Sequence, residues 1–407
     1  MKNHLTSSLR SLGAIVFVII LAPLATFAQS GTWTTASSTG FIGGYGLASA
    51  EIGGKIYVMG GSTSATSFSG LQVFDPSTNI WSTPTTTGTF TPRDRLTATV
   101  VNGNIYTIGG WAGAEMLNTL EVFDPVTNIW SSPTTTGTFT ARRAAAAVVA
   151  NGKIYVMGGF DGTKVLNTFE VFDPATNVWS TPVTTGTFTA RKNLCAGVVN
   201  GKIYVIGGYN DVPMGLNTLE VFDPSTNSWS TPVTTGTFTA LSGSAVVLDS
   251  KIYVFGTDGV GAVNLFNIFD PATNTWSTPS TTGTFKGSNG PAASIVGGNM
   301  YVMGGANASG FNSNAVFTPA ASGVRNNNFQ TDILISPNPT NGIATVSNVT
   351  ENLTNITVMN VLGEKMIELA NPLSSKFSLD LSNYPSGIYY AKFISGGSVV
   401  VRKIVKE

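Results

Sequence analysis

Six of the seven tryptophans recur at a nearly constant spacing along the chain. They are separated by 48, 49, 49, 50 and 47 residues and are Trp33, Trp81, Trp130, Trp179, Trp229 and Trp276. A second series at the same period precedes glycine pairs or, once, Gly-Thr: Tyr57, Tyr106, Tyr155, Tyr204, Tyr253 and Tyr301. Such a period indicates one supersecondary unit copied in tandem. The first tryptophan has no tyrosine before it, and the last tyrosine has no tryptophan after it. We therefore predict a closed ring of six units.

One unit, residues 144–188, shows the expected strands. The apolar run "AAAAVVA" and the strand "KIYVMGG" flank Asn151-Gly152, a strong hairpin signal. The alternating "FEVFDP" follows a variable loop, and a turn rich in turn-forming residues leads to "VWSTP". Four antiparallel strands per unit, closed in a ring, predict an all-β fold, a six-bladed β-propeller over residues 29–320. The segment around Trp33 is predicted to be the outer strand of blade six, which hides an edge.

The repeated pattern resembles that of a known family. "G-K-I-Y-V-x-G-G … E-V-F-D-P-x-T-N-x-W" is similar to the kelch repeat, whose family fold is the β-propeller, over about Trp33 to Pro319. Blade five departs from it at Gly256-Thr257, and blade six has Phe317-Thr318-Pro319 in place of Phe-Asp-Pro. The resemblance implies that an enzymatic function is an alternative, because some exported bacterial kelch propellers are sialic acid mutarotases and galactose oxidase carries kelch blades.

Residues 1–28 are predicted to be a secretory signal peptide. Lys2 and Arg10 give a positive start, residues 11–24 are mostly apolar, and Thr26-Phe27-Ala28 offers small residues for cleavage. The alternative is a membrane anchor, but the run is short and Pro23 interrupts it. The formal net charge of 0 gives no basic face for nucleic acid.

The scarcity of cysteine and histidine limits the chemistry. Cys195 is the only cysteine, so no internal disulfide forms, and its apolar surroundings indicate a buried hydrophobe. His4 is the only histidine and lies in the predicted signal peptide. A mature chain without imidazole excludes Ser-His-Asp chemistry and a histidine-dependent copper oxidase. We expect no metal and no cofactor. Whether the protein is an enzyme stays open, and binding is the favoured reading.

The C-terminal part has a different composition. Residues 321–332 read as a polar linker, and residues 333–407 read as a small β-sandwich of six or seven short strands. This part resembles the C-terminal sorting domain of the type IX secretion system. The matching residues are Pro337, Asn338, Pro339, Gly342, Gly363, Pro385, Gly387, Lys403 and Lys406.

The resemblance to the sorting domain implies a location and partners. It implies a Bacteroidota-type source, passage through the outer membrane, and the secretion machinery as a partner. The protein would then be released or attached to the cell surface, with no membrane-spanning segment in the mature chain. The alternative for this part of the chain is an ordinary adhesive sandwich module.

Differences among the blades point to a candidate ligand surface, because repeated sequence is scaffold. Blades two to four alone begin with basic residues and place an aromatic residue after the glycine pair. The residues are Arg93, Arg95, Arg142, Arg143, Arg191, Lys192, Trp111, Phe160 and Tyr209. Arginine binds carboxylates, and aromatic rings stack on sugars or cations. One half of the ring face is therefore predicted to bind an anionic glycan or an acidic protein segment.

Two alternatives to this prediction stay open. Kelch repeats commonly carry a paired basic residue where the inner strand starts, and recent duplication alone could make blades two to four alike. Carboxylates near the same face could support acid–base work on a sugar; they are Asp94, Glu115, Asp161 and Asp211. We therefore weigh three functions: a carbohydrate- or protein-binding module, a sugar-active enzyme, and a structural matrix protein.

Overall fold

The computed structural model describes residues 30–63, 66–210, 215–239, 242–257, 265–285, 289–306, 312–320, 334–347, 353–360, 364–370, 376–395 and 398–407. Every regular element within these ranges is a β-strand, which confirms the predicted all-β fold. The predicted signal peptide at 1–28 and the predicted linker at 321–332 lie outside the described residues.

The chain enters through a short strand and then forms five blades, each a four-stranded antiparallel sheet in sequence order. The entering strand is β1 (Gly31–Thr35). Blades one and two contain β2 (Tyr45–Ile52), β3 (Lys55–Ser62), β4 (Leu71–Asp75), β5 (Ile80–Ser82), β6 (Thr97–Val101), β7 (Asn104–Ile108), β8 (Leu120–Asp124) and β9 (Ile129–Ser131).

The next three blades repeat this order, with the longest strands in blade five. They contain β10 (Ala146–Ala150), β11 (Lys153–Met157), β12 (Phe169–Asp173), β13 (Val178–Ser180), β14 (Cys195–Val199), β15 (Lys202–Ile206), β16 (Leu219–Asp223), β17 (Ser228–Ser230), β18 (Ser242–Leu248), β19 (Lys251–Thr257), β20 (Leu265–Asp270) and β21 (Thr275–Ser277).

The sixth sheet combines both ends of the propeller. It contains β22 (Thr281–Thr282), β23 (Ala292–Val296), β24 (Asn299–Met303) and β25 (Asn314–Pro319). Strand β1 pairs antiparallel with β25, with Trp33 opposite Phe317, and parallel with β22. The N-terminal strand therefore lies in the outer position of the last blade.

The core of the propeller lies between neighbouring blades. Each of its six hydrophobic clusters takes buried side chains from two adjacent sheets. The phased tyrosines contribute to these contacts: the ring of Tyr155 in blade three is 6.2 Å from that of Phe222 in blade four. Trp33 packs at the last junction, with centroid distances of 5.9 Å to Phe255 and 5.2 Å to Phe266 of blade five. No blade buries its apolar faces alone.

The segment that leads into each blade runs along the outer strand of that blade. In blade two, Phe90 of this segment stacks on Trp130 with ring centroids 4.5 Å apart, and the other five blades repeat the stack at 4.3 to 4.6 Å. Gly88 permits the close approach: its φ is 80°, and an added Cβ would lie 2.0 Å from the carbonyl oxygen of Trp130. The incoming segment therefore covers the outer edge of the blade.

A chain of backbone hydrogen bonds links the blades at one mouth of the central channel. The amide of Arg95 donates to Gly46 O, that of Ala144 to Arg95 O, and that of Asn193 to Ala144 O, each at 2.8 Å. These donors have left-handed backbones, with φ of 50°, 56° and 53°. Arg95 of blade two is therefore equivalent to Ala144 of blade three. Both line the central channel, whereas Arg143, one residue earlier in blade three, does not.

The C-terminal part forms two sheets that share one core. Their strands are β26 (Leu334–Ser336), β27 (Ile343–Ser347), β28 (Leu353–Asn360), β29 (Lys365–Ala370), β30 (Phe377–Asp380), β31 (Gly387–Ser395) and β32 (Ser398–Lys406). The first sheet has the order β26-β27-β30, and the second has the order β29-β28-β31-β32. Val346 and Leu379 of the first sheet pack with Ile356, Phe393 and Ile404 of the second.

Replacing Ala144 with glycine is expected to stabilise the propeller. Ala144 has a φ of 56°, a left-handed conformation that costs a non-glycine residue about 1–2 kcal/mol. After the entropy of the more flexible unfolded chain is subtracted, we expect Ala144→Gly to raise the free energy of unfolding by about 0.5–1 kcal/mol. Denaturant unfolding measures this change in the free energy of unfolding. The control Ala147→Gly, in regular strand β10, should lower stability, and equal effects of the two variants would contradict the account.

Candidate functional site

The first basic residue of blades two, three and four is buried inside its own blade. The side chains of Arg93, Arg142 and Arg191 are at most 1% exposed. Arg93 Nη2 lies 2.5 Å from Glu121 Oε2, and Arg191 Nη2 lies 2.9 Å from Glu220 Oε2. Arg142 forms the same ion pair with Glu170. Burial lowers the pKa of each arginine, and the glutamate opposes that shift.

Further hydrogen bonds hold these arginines to the scaffold. Nη1 of Arg93 donates to the carbonyl oxygen of Gly109 at 3.0 Å, and Nε donates to that of Thr91 at 3.0 Å. The same bond to the first glycine of the pair recurs in blades three and four. The structure therefore places Arg93, Arg142 and Arg191 inside the blades, where their charges are buried and neutralised.

The sequence contained a signal for these ion pairs. Blades two to four carry Glu121, Glu170 or Glu220 before Val-Phe-Asp-Pro, and only these blades start with the arginine. Blade one has Gln72 and blade five has Asn267 at the glutamate position. Arginine and glutamate therefore occur together, blade by blade, as expected for partners.

The remaining cations alternate with aromatic rings on the channel face. We define the cation–aromatic belt as Tyr45, Arg95, Trp111, Arg143, Phe160 and Lys192. The guanidinium of Arg95 lies 5.1 Å from the ring centre of Tyr45. That of Arg143 lies 5.1 Å from Trp111 and 5.5 Å from Phe160, and Lys192 Nζ lies 4.8 Å from Phe160. Sequence reasoning missed Tyr45, which stands one residue before the start of the backbone hydrogen-bond chain.

Backbone pairing holds each cation next to an aromatic residue. Arg143 forms an antiparallel bridge with Phe160, and Lys192 forms the same bridge with Tyr209. Asp94 takes the equivalent position in blade two and bridges to Trp111. The aromatic residue after the glycine pair is thus held beside the charged residue that precedes the inner strand of the same blade. This contact explains why aromatic and charged residues occur together in blades two to four.

The guanidinium of Arg143 is held between two aromatic rings, and no hydrogen-bond acceptor among the described residues pairs with it. Its guanidinium lies between the rings of Trp111 and Phe160, and it is half-buried. In the described ranges, no oxygen atom accepts a hydrogen bond from it and no carboxylate lies within ion-pair distance. Burial, then the charge of Arg95, lowers the pKa of Arg143, yet a guanidinium stays protonated in proteins. Five oriented donors are therefore available to an anion.

Asp94 is the buried carboxylate of this face. It is 3% exposed, its Oδ1 lies 3.2 Å from Arg95 Nη1, and its Oδ2 accepts a hydrogen bond from Ser67 Oγ at 3.3 Å. Burial raises the pKa of Asp94 above its ordinary value, and the charge of Arg95 opposes that rise. Asp94 therefore holds Arg95 in place and is a carboxyl group with a raised pKa beside the channel mouth.

The other predicted carboxylates do not join Asp94. Asp161 Oδ1 accepts from the amides of Thr163 and Lys164 at 2.8 Å each, which lowers its pKa and makes it a turn cap. Glu115 is exposed, and Asp211 lies outside the described residues. Among the described residues, no hydrogen bond or ion pair connects two of these carboxylates. The same ranges contain no group of three or more His, Cys, Asp or Glu residues suited to a metal ion.

The central channel opens beside the belt. A cavity of about 460 Å³ follows it, and Arg95 is the charged residue among the described residues that line it. Alanines from several inner strands, among them Ala98, Ala147, Ala196 and Ala293, leave the space open. Cys195 also lies here but is 3% exposed, and burial raises its pKa to about 12, so the thiol stays protonated near neutral pH.

The residues of the predicted sorting signal hold the C-terminal strand. Asn338 Nδ2 donates to Lys403 O, and Asn338 Oδ1 accepts from the amide of Val405, both at 2.8 Å. Lys406 Nζ donates to Ser382 O at 3.1 Å and contacts Tyr384 O.

Close packing accounts for other residues of the signal. Gly342 accepts from the amide of Leu381 at 2.6 Å, and an added Cβ there would lie 2.7 Å from Ser382 Oγ. Pro385 O accepts from the hydroxyl of Tyr389 at 2.6 Å. Pro337 and Pro339 are exposed beside Asn338, Gly387 opens β31, and Gly363 lies outside the described residues.

Comparison with known families agrees with this architecture. The family model described as the KLHDC2/KLHL20/DRC7 Kelch-repeats domain matches residues 24–208 and 182–330, which is most of the chain. The chain therefore belongs to the kelch-repeat family. Residues 334–407 match the model described as the Secretion system C-terminal sorting domain. No curated protein matches the chain.

The sorting domain determines where the protein goes. It implies the type IX secretion machinery as a partner and a secreted or cell-surface location. The described ranges hold no helix of the length and apolarity that crossing a membrane requires.

Removing one member of a buried ion pair is expected to destabilise the propeller strongly. Glu220→Gln leaves the guanidinium of Arg191 buried without its counter-charge, which costs about 3–5 kcal/mol. The apolar double variant Arg191→Met/Glu220→Leu should recover most of this loss, because no uncompensated charge remains. Guanidinium chloride unfolding of the three proteins measures the effect. A loss below about 1 kcal/mol in Glu220→Gln would show that the pair is not part of the scaffold.

Proposed function

We propose that this secreted kelch propeller is a binding module that recognises an anionic carbohydrate through the cation–aromatic belt. The observation that carries the proposal is Arg143. Two aromatic rings fix its guanidinium at 5.1 and 5.5 Å, and no acceptor of the described chain uses its donors. A preordered, unneutralised arginine is the arrangement that binds a carboxylate or sulfate at little entropic cost.

The charge of the belt supports an anionic ligand. Arg95, Arg143 and Lys192 are positive, and Asp94 is the carboxylate in ion-pair contact with them. Three cations against one carboxylate leave an excess of two positive charges. This excess stands out because the chain as a whole is balanced, with 21 basic and 21 acidic residues. The belt is thus a local positive region on a neutral protein.

The aromatic residues favour a carbohydrate over a peptide. Trp111 and Phe160 are half-buried beside the channel mouth, so part of each residue stays accessible to a ligand, and aromatic side chains pack well on the apolar C–H face of a sugar. The adjacent channel offers about 460 Å³, within the range of small-molecule sites of about 300–1,000 Å³. An acidic sugar combines the carboxylate that the cations need with a ring that aromatic residues accept.

Catalysis on such a sugar is the second candidate function. The observation that favours it is Asp94, a buried carboxylate whose pKa is raised and whose Oδ1 lies 3.2 Å from Arg95. A carboxyl group with a raised pKa beside a substrate-binding cation is typical of general acid–base sites. A purely structural role accounts for the buried arginine–glutamate pairs, but it does not require the unneutralised Arg143.

Substitution of the belt cations should weaken binding while the fold is retained. We expect Arg143→Gln and Lys192→Gln each to weaken binding of acidic oligosaccharides about ten- to hundredfold, since a charge-assisted hydrogen bond contributes about 1.5–3 kcal/mol. A glycan array followed by calorimetry of the mature protein measures it. Affinity should also fall with added salt.

The matched control is Lys153→Gln. Lys153 follows the hairpin turn of blade three and pairs with Asp173 at 2.9 Å, away from the belt. Affinity should be unchanged in this variant. Binding of acidic peptides in place of sugars would redirect the proposal to a protein partner, and binding that survives in both belt variants would contradict it. If the protein converts a bound sugar into a product, and Asp94→Asn abolishes that conversion, catalysis is the function and Asp94 takes part in it.

A further inference from the structure

A second cavity lies in blade five, outside the central channel. It measures about 390 Å³, and the described residues that line it include Trp33, Phe266, Asn267 and Phe285. We call it the blade-five cavity. It lies between the segment that enters blade five, strand β20, and the segment that follows β21 and runs beside β1. The belt residues do not line it.

The equivalent place in blades two to four is filled by the chain itself. In blade two, Thr91 Oγ1 donates to Glu121 Oε1 at 2.7 Å, and the guanidinium of Arg93 completes the cluster. Blade five has Thr239 at the position of Thr91 and Asn267 at the position of Glu121. Its sequence has Leu241 at the arginine position. Blade five therefore lacks the arginine and the glutamate that form this cluster elsewhere.

Asn267 is left with an unmet acceptor at the cavity wall. It is 6% exposed, and its Nδ2 donates to Thr278 Oγ1 at 3.1 Å. No donor among the described residues reaches its Oδ1. Buried polar atoms in native proteins are nearly always paired, so an unpaired amide oxygen facing a cavity indicates that an outside group supplies the donor.

The walls of the cavity define the chemistry of that group. Trp33, Phe266 and Phe285 form an apolar base, each under 9% exposed. Thr239 and Thr278 are exposed at the rim, so the cavity opens to solvent. None of the described lining residues is charged. The site therefore suits an uncharged molecule with an apolar face, a donor for Asn267 and further hydroxyl groups.

We propose that the blade-five cavity is a second binding site that takes one neutral sugar ring. An N-acetylated hexose matches it, because its amide N–H donates to Asn267 Oδ1 while its methyl group and ring C–H atoms lie against the apolar base. A volume of about 390 Å³ falls in the small-molecule range of about 300–1,000 Å³ and accommodates a single sugar ring. This site is independent of the anionic ligand of the belt.

The experiment uses the mature secreted protein with N-acetylglucosamine and methyl glucoside as probes. Saturation-transfer NMR and calorimetry should show saturable binding of N-acetylglucosamine, and weaker binding of methyl glucoside, which lacks the amide donor. Asn267→Leu should reduce affinity at least tenfold, because it removes the acceptor oxygen and leaves an apolar side chain of similar shape in its place. Thr278→Val should reduce it less, because it removes only the partner of Asn267 Nδ2.

Matched controls separate this site from the belt and from misfolding. Thr181→Val changes the equivalent threonine of blade three, and Arg143→Gln changes the belt; both should leave binding of the neutral probe unchanged. Melting temperatures confirm that each variant is folded. No saturable binding of either probe would overturn the proposal, and a higher melting temperature in Asn267→Leu would then identify the cavity as a packing defect. Binding that survives in Asn267→Leu would overturn it as well.

Discussion

The fold depends on apolar contact between neighbouring blades. Each sheet presents apolar side chains on both faces, and the buried clusters consistently join two blades, as Tyr155 and Phe222 do across the third junction. A sheet of this kind is unstable by itself, so every blade requires a neighbour on each side. Pairing of β1 with β25 supplies the last neighbour, and Trp33 packs against Phe255 and Phe266 at that junction.

This constraint divides the charged residues into two groups. Residues that enter the blade interior are neutralised there, as Arg142 is by Glu170. The next residue along the chain, Arg143, is half-buried between two rings. Adjacent residues in extended chain point in opposite directions, so a single step separates scaffold from candidate site. The same scaffold position in blade five, without its ion pair, leaves a cavity at Asn267.

The periodic residues made the fold predictable, whereas the site was only partly so. Spacing of the tryptophans and tyrosines predicted the strands and the propeller, because packing between repeats dictates them. The difference between Arg93 and Arg95 could not be read from composition, since burial depends on the path of the backbone at the channel mouth. The sequence does carry a signal for the buried ion pairs, because Glu121 and its equivalents occur only in the blades that start with an arginine. The blade-five cavity was not predictable, because it depends on how the chain packs where blade five lacks the buried arginine and glutamate of the other blades.

The most direct test compares two adjacent residues in one experiment. Arg142→Gln and Arg143→Gln remove the same charge one residue apart, and both free energy of unfolding and affinity for acidic oligosaccharides are measured for each. We predict that Arg142→Gln lowers stability by about 3–5 kcal/mol but keeps the affinity of the folded protein. Arg143→Gln should keep stability and lose affinity. Loss of affinity in Arg142→Gln alone, with stability unchanged, would contradict the division between scaffold and ligand surface.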